Sequence, residues 1–444
     1  MSTSQLPPQA ASQTLTLTPT QAEDIIRTQL KGHSKSTVRL LTEIKNKNTA
    51  YSYTPSSRTY IADISMYPPQ PKPLPCSCFI TIAAPPTVTQ SLYHTNSLLT
   101  IHHLISQILA HTSIPLPPPI LDASLQHLPF HVLISPAAPL ASTSIVSMRE
   151  ARSRALVDEK ELIRVEMQIG AFLGQMHSGV LGEWFGLPRP VDEVDEGADE
   201  EISAPAVEVP LGMGLDGPSP NYPSESYSWQ ETFTHLLETL LSEFEAAKSP
   251  NFTLDLPYED IRRYLSRAIG SFLFDDVEVP SLVWMTGSED DVYVFISPSS
   301  SPSSSSTGSS SSANSTPPTA GIAAILPNIA HALWGDPLLE SFFSSSPSLS
   351  TSSTEHEGKP GPCQALLEAY LASGGSPPIV FPRHKTKRLW YDLFLGLVVL
   401  RERGLGGTDA ADGVDRESET VIDREWALEL VRRTVEGLRD APCY

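Results

Sequence analysis

Cysteine is scarce in this chain, with four among 444 residues. Cys76, Cys78, Cys363 and Cys443 are too few and too scattered to form a disulfide framework. Cys76 and Cys78 form one close pair without a second pair nearby, which favours free thiols over a metal site. Long apolar runs are also absent. The most apolar stretch, 393–400, is far shorter than the roughly 20 residues that a membrane helix needs.

Positive charge is sparse as well, because 30 Lys and Arg face 51 Asp and Glu and give a formal net charge of −21. This balance disfavours binding to nucleic acid or to an anionic membrane through bulk electrostatics, which requires clustered basic residues, and leaves only a local basic patch open. One basic run is interpreted as the solvated start of a helix. It consists of Arg383, His384, Lys385, Lys387 and Arg388. The N-terminus lacks a charged segment followed by an apolar one, so we expect a cytoplasmic protein without a signal peptide or a membrane partner.

Several stretches contain too few apolar residues to order themselves, and they predict a disordered tail and low-complexity inserts. The tail is 1–17, and the inserts are 190–224, 297–319 and 344–361. The first insert contains a G-x-G-x-x-G pattern at 212–217. Pro210 lies two residues before this pattern and Pro218 directly follows it. It therefore lacks the preceding strand and following helix that a nucleotide-binding loop requires.

Apolar spacing predicts the remaining elements. Helices are predicted at 18–30, 92–110, 159–176, 229–244, 261–273, 365–372, 389–403 and 422–438. Strands are predicted at 38–44, 50–64, 79–82 and 130–134, with a further strand pair formed by 282–283 and 292–296. The order predicts an α+β fold with a small mixed N-terminal part at 18–140 and a larger, mostly helical part at 141–444.

The most informative stretch is 280–295, in which two hydrophobic strands flank a polar loop. It resembles the catalytic segment of the aminoglycoside phosphotransferase family, small-molecule relatives of protein kinases. That family has a strand, then His-x-Asp-x-x-x-x-Asn, then a second strand. Other stretches in the same order are similar to this family as found in fungal phosphotransferase-like proteins, and they span about 18–403. They are 112–117, 169–178, 185–186, 228–229, 332–337 and 388–393. The resemblance implies a two-lobed, protein-kinase-like fold.

The chain departs from this family at the positions that carry the chemistry. The resemblance implies a histidine at Trp284, a catalytic aspartate at Thr286 and a phosphate-pairing lysine at Thr81. It also implies a metal-binding aspartate at Asn328, six residues before the tryptophan of Ala-Leu-Trp-Gly-Asp-Pro. Asp291 stands where the family has a metal-binding asparagine, and it is either a metal ligand or part of a solvated acidic turn.

Two further parts of the family's site lack the expected residues. The glutamate that pairs with the lysine belongs in the helix near Ile101, yet no acid occurs from Ala83 to Leu121. The nucleotide loop belongs near 42–51, a stretch without glycine, although a close backbone approach to phosphates usually uses glycine.

Other polar residues are interpreted as structural. His102, His103 and His111 are expected at the surface or half-buried, because their spacing does not supply a metal site. His177 is expected to form a hydrogen bond at a helix end. Asp336 is expected to cap a helix or support the site loop.

These departures predict a pseudokinase of the aminoglycoside phosphotransferase type, which acts by binding a protein or a small molecule and needs no cofactor. The alternative is an active but divergent small-molecule phosphotransferase that uses ATP and Mg²⁺. Asp290, Asp291, Asn328 or Asp336 then take rearranged roles. A third hypothesis is a non-nucleotide metabolite in a cleft made apolar by Trp284 and Met285.

Overall fold

A computed structural model describes thirteen ranges of the chain. They are 15–44, 56–66, 77–86, 93–114, 118–136, 144–189, 226–246, 256–296, 321–325, 329–344, 363–377, 381–404 and 416–442. The glycine pattern at 212–217, Asn328, Cys76 and Cys443 lie outside these ranges. So do residues 1–14 and the three inserts, apart from Ser344.

The N-terminal part begins with helix α1 (Pro19–Gln29). Thr18 and Gln21 cap this helix through a reciprocal pair of hydrogen bonds. Residues 15–17 were predicted to be disordered, and that is wrong. Leu17 is 6% exposed and its backbone N–H donates to the hydroxyl of Tyr60 at 3.4 Å, so this residue packs onto the sheet before the helix begins.

An antiparallel sheet of five strands follows, in the order β1-β2-β3-β5-β4. The strands are β1 (Ser36–Glu43), β2 (Ser57–Met66), β3 (Ser77–Ala83), β4 (Ile120–Asp122) and β5 (His131–Pro136). Helix α2 (Leu98–His111) connects β3 to β4. It begins later than the prediction of residue 92, because the side chain of Ser97 caps it by accepting from the N–H of Thr100.

Strand β3 separates two environments, because successive side chains point to opposite faces of a sheet. Cys78, Ile80 and Ile82 pack with α1 in one hydrophobic cluster. Phe79 and Thr81 share the other face, which we call the inner face because it meets the C-terminal part of the chain. Every side chain from Cys78 to Ile82 is buried.

The C-terminal part is mostly helical. Its helices are α3 (Met148–Ser153), α4 (Glu159–Gly179), α5 (Trp229–Ala246), α6 (Tyr258–Gly270), α7 (Gln364–Ala372), α8 (Pro382–Gly404) and α9 (Arg416–Asp440). Single 3-10 turns occupy Pro337–Leu339 and Ser341–Phe343. The predicted α+β class is therefore confirmed, with an antiparallel sheet in the N-terminal part and helices in the C-terminal part. No helix within the described ranges is both long and apolar enough to span a membrane.

Two small sheets accompany these helices. Strand β8 (Val292–Ile296) lies between β6 (Ser144–Ser147) and β9 (Gly321–Ile325). Strand β7 (Ser281–Val283) pairs with β10 (Leu333–Gly335). The prediction that 282–283 and 292–296 pair with each other is thus wrong, because each strand finds its partner elsewhere in the chain.

Apolar packing joins the two parts of the molecule. One cluster holds the helical bundle of α5, α6, α8 and α9 together. A second cluster includes α2, α4 and the strands around residue 284. The side chain of Asn96, just before α2, donates to the carbonyls of Ile329 at 3.0 Å and Ala332 at 2.9 Å. The start of α2 is therefore fixed to the segment that precedes β10.

Candidate functional site

The loop after β7 makes a tight turn at Met285. This residue has φ 66°, a left-handed conformation that non-glycine residues rarely adopt. The turn lets the N–H of Thr286 donate to the carbonyl of Trp284 at 2.8 Å. Thr286 is fully buried and carries a hydroxyl where the resemblance implies a carboxylate. The turn therefore presents no general base at this position.

The ring of Trp284 belongs to the hydrophobic core. It is 4% exposed and lies 6.0 Å from the ring of Phe342, centroid to centroid. A Cβ at Gly287 would stand 2.6 Å from the indole, so glycine allows this close approach. Because the indole packs into the core, it offers no open apolar cleft of the kind that the metabolite hypothesis requires.

Asp291 directly precedes β8, and the expectation of a solvated turn is wrong because the residue has no solvent exposure. Its Oδ2 accepts from the backbone N–H of Ser288 at 2.9 Å and from its hydroxyl at 2.8 Å. Through these two hydrogen bonds the carboxylate stabilises the 288–291 turn to which it belongs. Local hydrogen bonds of this kind are a common role of aspartate in turns.

The two preceding acids are held by arginines. Arg149 reaches Asp290 at 2.7 Å. Arg152 lies 3.0 Å from Glu289 and 2.7 Å from Glu166 on α4. These ion pairs tie the loop to helices α3 and α4, so both carboxylates already have cationic partners.

Thr81 lies on the inner face of β3, at the position for which the resemblance implies a lysine. Its hydroxyl is 3.0 Å from the hydroxyl of Thr59 on the neighbouring strand β2. The two threonines are 8% and 2% exposed. This pair satisfies both hydroxyls without charge, and no cation from the described ranges stands at this point of the inner face.

Phe79 and Tyr293 fill the space next to Thr81. Their ring centroids are 4.9 Å apart in an edge-to-face arrangement, and both rings are buried. Ile44, Ile61 and Ile145 pack around them. Burial raises the pKa of Tyr293, with smaller contributions from neighbouring carboxylates. The five-stranded sheet and the β6-β8-β9 sheet therefore meet through a buried, mainly apolar contact.

A buried glutamate, Glu340, anchors the loop at Trp284. Glu340 has no solvent exposure, and its Oε2 accepts from the backbone N–H of Trp284 at 3.0 Å. The same oxygen lies 3.5 Å from Nε2 of His177, whose Nδ1 is 3.1 Å from the hydroxyl of Tyr370. Arg388 donates to the carbonyl of Glu340 at 2.8 Å. His177 is structural, as predicted, whereas Glu340 was not predicted.

Asp336 forms the second buried polar group. It caps the first 3-10 turn through the N–H of Leu338, which confirms the capping prediction. The Nζ of Lys387 lies 2.6 Å from Asp336 and 2.7 Å from Asp276, and the hydroxyl of Tyr391 donates to Asp336 at 2.7 Å. Burial alone would raise the pKa of Asp336, but Lys387 and these hydrogen bonds lower it below its usual 3.8.

The basic run at the start of α8 is only partly solvated, which corrects its interpretation. Lys387 and Arg388 are each 3% exposed. Arg388 makes an ion pair with Asp392 at 2.7 Å, one turn along the same helix. Paired carboxylates explain how these charges are accommodated inside the protein.

The remaining candidates do not gather into a site. His103 and His111 are exposed and His102 is half-buried, as expected. Cys78 and Cys363 are free thiols, and burial raises the pKa of Cys78 to about 12. Within the described ranges, no group of three or more His, Cys, Asp or Glu side chains could hold a metal ion. Asn328 lies outside those ranges.

The sequence contained a usable signal for Phe79 but not for Glu340. Phe79 stands two residues before Thr81, and residues two apart on a strand share a face. Placing Thr81 toward the C-terminal part therefore also places Phe79 there. Glu340 contacts Trp284 and His177, which are distant in sequence, so its role becomes visible only in the fold.

No family model and no curated protein matches the sequence. Among solved structures, the chain is similar to a protein described as an aminoglycoside phosphotransferase from Ralstonia eutropha JMP134. The identity is 10%, the TM-score is 0.48, and the match covers 95% of this chain and 98% of that one. It is also similar to the ethanolamine kinase of Plasmodium vivax, at 8% identity and a TM-score of 0.46, over 93% and 86% of the two chains.

A third similar structure is a spectinomycin phosphotransferase in complex with ADP and spectinomycin. The identity is 11%, the TM-score is 0.40, and the coverage is 94% of this chain and 98% of that one. These proteins are small-molecule kinases and phosphotransferases by description. Likeness at such low identity concerns the path of the chain and leaves the activity of this protein open.

Proposed function

We propose that this protein is a kinase-like protein without phosphotransferase activity, which acts by binding a protein or a small molecule. The observation that carries the proposal is the inner face of β3. It presents Phe79 against Tyr293 and Thr81 against Thr59, in place of a cation beside an open nucleotide space.

The chemical requirements of phosphoryl transfer support this proposal. A catalytic site needs a carboxylate to orient the attacking hydroxyl, cationic groups on the phosphates and ligands for Mg²⁺. Thr286 cannot accept a proton as a carboxylate does, and Thr81 carries no charge. Loss of one preorganised electrostatic group typically costs about 3 kcal/mol of transition-state stabilisation, so two losses together leave little catalysis.

The alternative of a divergent active enzyme requires the nearby acids to take new roles. Asp290 is held by Arg149 and Asp336 by Lys387, and Asp291 accepts two hydrogen bonds from Ser288. Recruiting any of them to Mg²⁺ means breaking a buried or half-buried interaction first. No contact among the described residues favours this alternative over the proposal.

A thermal-shift titration of the full chain tests the proposal. Melting is measured with ATP and Mg²⁺, with ATP and a chelator, and with Mg²⁺ alone. A ligand at about 100 times its Kd adds about 2.7 kcal/mol to the folded state, so binding is readily detected. The proposal predicts three equal melting temperatures. A rise that requires both ATP and Mg²⁺ overturns it.

A turnover assay separates the two functions further. ATP consumption is measured with a panel of hydroxyl and amine acceptors, for the wild type and for Asp291→Ala. We expect no consumption above a heat-treated sample in either case. Consumption that disappears in the Asp291→Ala variant establishes the divergent enzyme instead.

A further inference from the structure

Exposed apolar side chains gather where the end of α6, the loop that leads to β7, the start of α8 and the residues after α4 meet. Phe272 is 63% exposed, Phe381 58%, Leu181 50% and Val279 48%. We call these residues the apolar patch. Large apolar side chains exposed side by side are uncommon on soluble proteins and mark surfaces for a partner.

Contacts of α8 bring Phe272 and Phe381 together. The guanidinium of Arg383, two residues beyond Phe381, donates to the carbonyl of Phe272 at 2.8 Å. The ring of Phe381 packs against the ring of His384, with centroids 5.5 Å apart. Nε2 of His384 in turn lies 3.5 Å from Asp276. The loop that carries Phe272 is thus held against the residues that follow Phe381.

The same loop brings Val279 to Leu181. Val279 stands three residues after Asp276, and the next residue is Pro280. The carbonyl of Pro280 accepts from the N–H of Gly182 at 2.8 Å. The chain neighbours of Val279 and Leu181 are therefore in direct contact, which extends the apolar patch from α8 to the segment after α4.

Phe272 occupies a position that does not favour phenylalanine. Its φ is 54°, in the left-handed region. Its N–H donates to the carbonyl of Ile269 at 2.9 Å, and the N–H of Leu273 donates to that of Ala268 at 3.1 Å. This is the Schellman pattern, in which glycine is usual at the position of Phe272. Because the ring is mostly exposed, packing among the described residues compensates little for this strain, and contact with a partner would.

Carboxylates surround the apolar patch. Glu183, Asp275 and Glu278 are exposed, and none of them forms an ion pair with a described residue. Lys385 is exposed on α8, so one ammonium group stands beside three carboxylates. A surface that is both apolar and negatively charged matches a partner segment with Lys or Arg beside apolar side chains.

We propose that the apolar patch docks a basic, amphipathic segment of a partner protein. Apolar side chains of this segment cover Phe272 and Phe381, and its basic groups lie at Asp275 and Glu278. A second copy of the chain fits less well, because two proteins of net charge −21 repel each other. This inference rests on the proposed binding function and gives it a class of partner.

Fluorescence anisotropy of labelled peptides with the full chain tests the proposal. The probe is a short amphipathic helical peptide of leucine and lysine. A scrambled peptide of the same composition and a leucine–glutamate peptide are the controls. We expect saturable binding of the probe, about tenfold weaker binding of the scrambled peptide, and no detectable binding of the acidic one. No binding of the probe, or equal binding of either control, overturns the proposal. The ATP titration is unaffected by this result, so the loss of the nucleotide site is judged separately.

Substitutions assign the binding to the apolar patch. Phe272→Gly and Phe381→Ser should each weaken binding of the probe about tenfold. Leu40→Ser is the matched control and should leave binding unchanged, because Leu40 is 57% exposed on β1, outside the patch. Unchanged binding in either phenylalanine variant, or an equal loss in Leu40→Ser, contradicts the assignment.

Phe272→Gly also separates docking from folding. Glycine adopts a φ of 54° without strain, so the melting temperature of this variant should equal or exceed that of the wild type while binding of the probe falls. A clearly lower melting temperature would show that Phe272 serves the fold and would overturn the argument. Sedimentation of the free protein tests the other occupant. A dimer that Phe272→Gly dissociates would assign the patch to a second copy and likewise overturn the proposal.

Discussion

The edge of the Phe79 ring meets the ring of Tyr293, with centroids 4.9 Å apart, and this contact joins the N-terminal sheet to the β6-β8-β9 sheet. Phe79 is 2% exposed and Tyr293 is 6% exposed. The face of β3 that carries Thr81 is therefore packed against the other part of the chain rather than opened toward a ligand.

This aromatic contact should contribute directly to stability. Phe79→Ala is expected to lower the free energy of unfolding by about 3–5 kcal/mol, as large-to-small core substitutions of phenylalanine do. Urea unfolding of Phe79→Ala, Tyr293→Ala and the double variant then gives a coupling energy of about 1 kcal/mol. A coupling energy near zero contradicts direct packing of the two rings.

Replacing Thr81 by lysine should not restore a kinase. Thr81→Lys places an ammonium group at a buried position with no acid in α2 to pair with it, so we expect a loss of more than about 2 kcal/mol of stability. Circular dichroism melting and the ATP assay measure both effects. The control Thr81→Val removes only the hydroxyl pair and should cost about 1 kcal/mol. A stable Thr81→Lys protein that consumes ATP contradicts this prediction.

Glu340 should be essential for the Trp284 loop. Glu340→Ala leaves the backbone N–H of Trp284 and the ring of His177 without their buried partner, at an expected cost of about 3 kcal/mol. The exposed Glu429 provides a control, and Glu429→Ala should change stability by less than about 0.5 kcal/mol. Chemical unfolding of both variants checks the difference. Similar small losses would mean that Glu340 does not hold the loop.

Asp336 should make stability depend on acid pH. Its pKa is lowered in the folded protein, so it stabilises the fold above its unfolded value, near 3.8, and this contribution is lost as pH falls through the folded value. Asp336→Asn should cost about 3 kcal/mol at neutral pH, the low end for a broken buried ion pair, because Lys387 keeps Asp276.

The pH profile separates this effect from a general loss of packing. The difference between the wild type and Asp336→Asn should shrink as the pH falls below about 4, where the unfolded aspartate becomes protonated. Unfolding curves recorded across this range measure it. A difference that stays constant down to the lowest accessible pH indicates that the carboxylate charge is not the cause.

Apolar spacing was sufficient to predict the long helices and the order of the N-terminal elements. Helix α4 was predicted at 159–176 and observed at Glu159–Gly179, and α5 was predicted at 229–244 and observed at Trp229–Ala246. Two short strands could not be predicted, because the pattern of apolar residues in and around them is too weak. Ser144–Ser147 has only two apolar residues, and Gly321–Ile325 follows a serine-rich stretch, so neither was predicted.

The burial of charge could not be read from the sequence. Lys387 pairs with Asp276 across 111 residues of chain, and such a partner is not visible in a local pattern. Asp291 belongs to a run of three acids, which typically indicates a solvated turn. Its burial follows from the Ser288 turn and from β8, which lies between two other strands.

Equilibrium dialysis of labelled ATP against the full-length protein, with and without Mg²⁺, tests the loss of the nucleotide site most directly. We predict no saturable binding up to about 1 mM ATP in either condition. A Kd above 1 mM corresponds to a binding free energy weaker than about 4 kcal/mol. Saturable, Mg²⁺-dependent binding that weakens in Asp291→Ala would contradict the claim that this kinase-like protein has lost its nucleotide site.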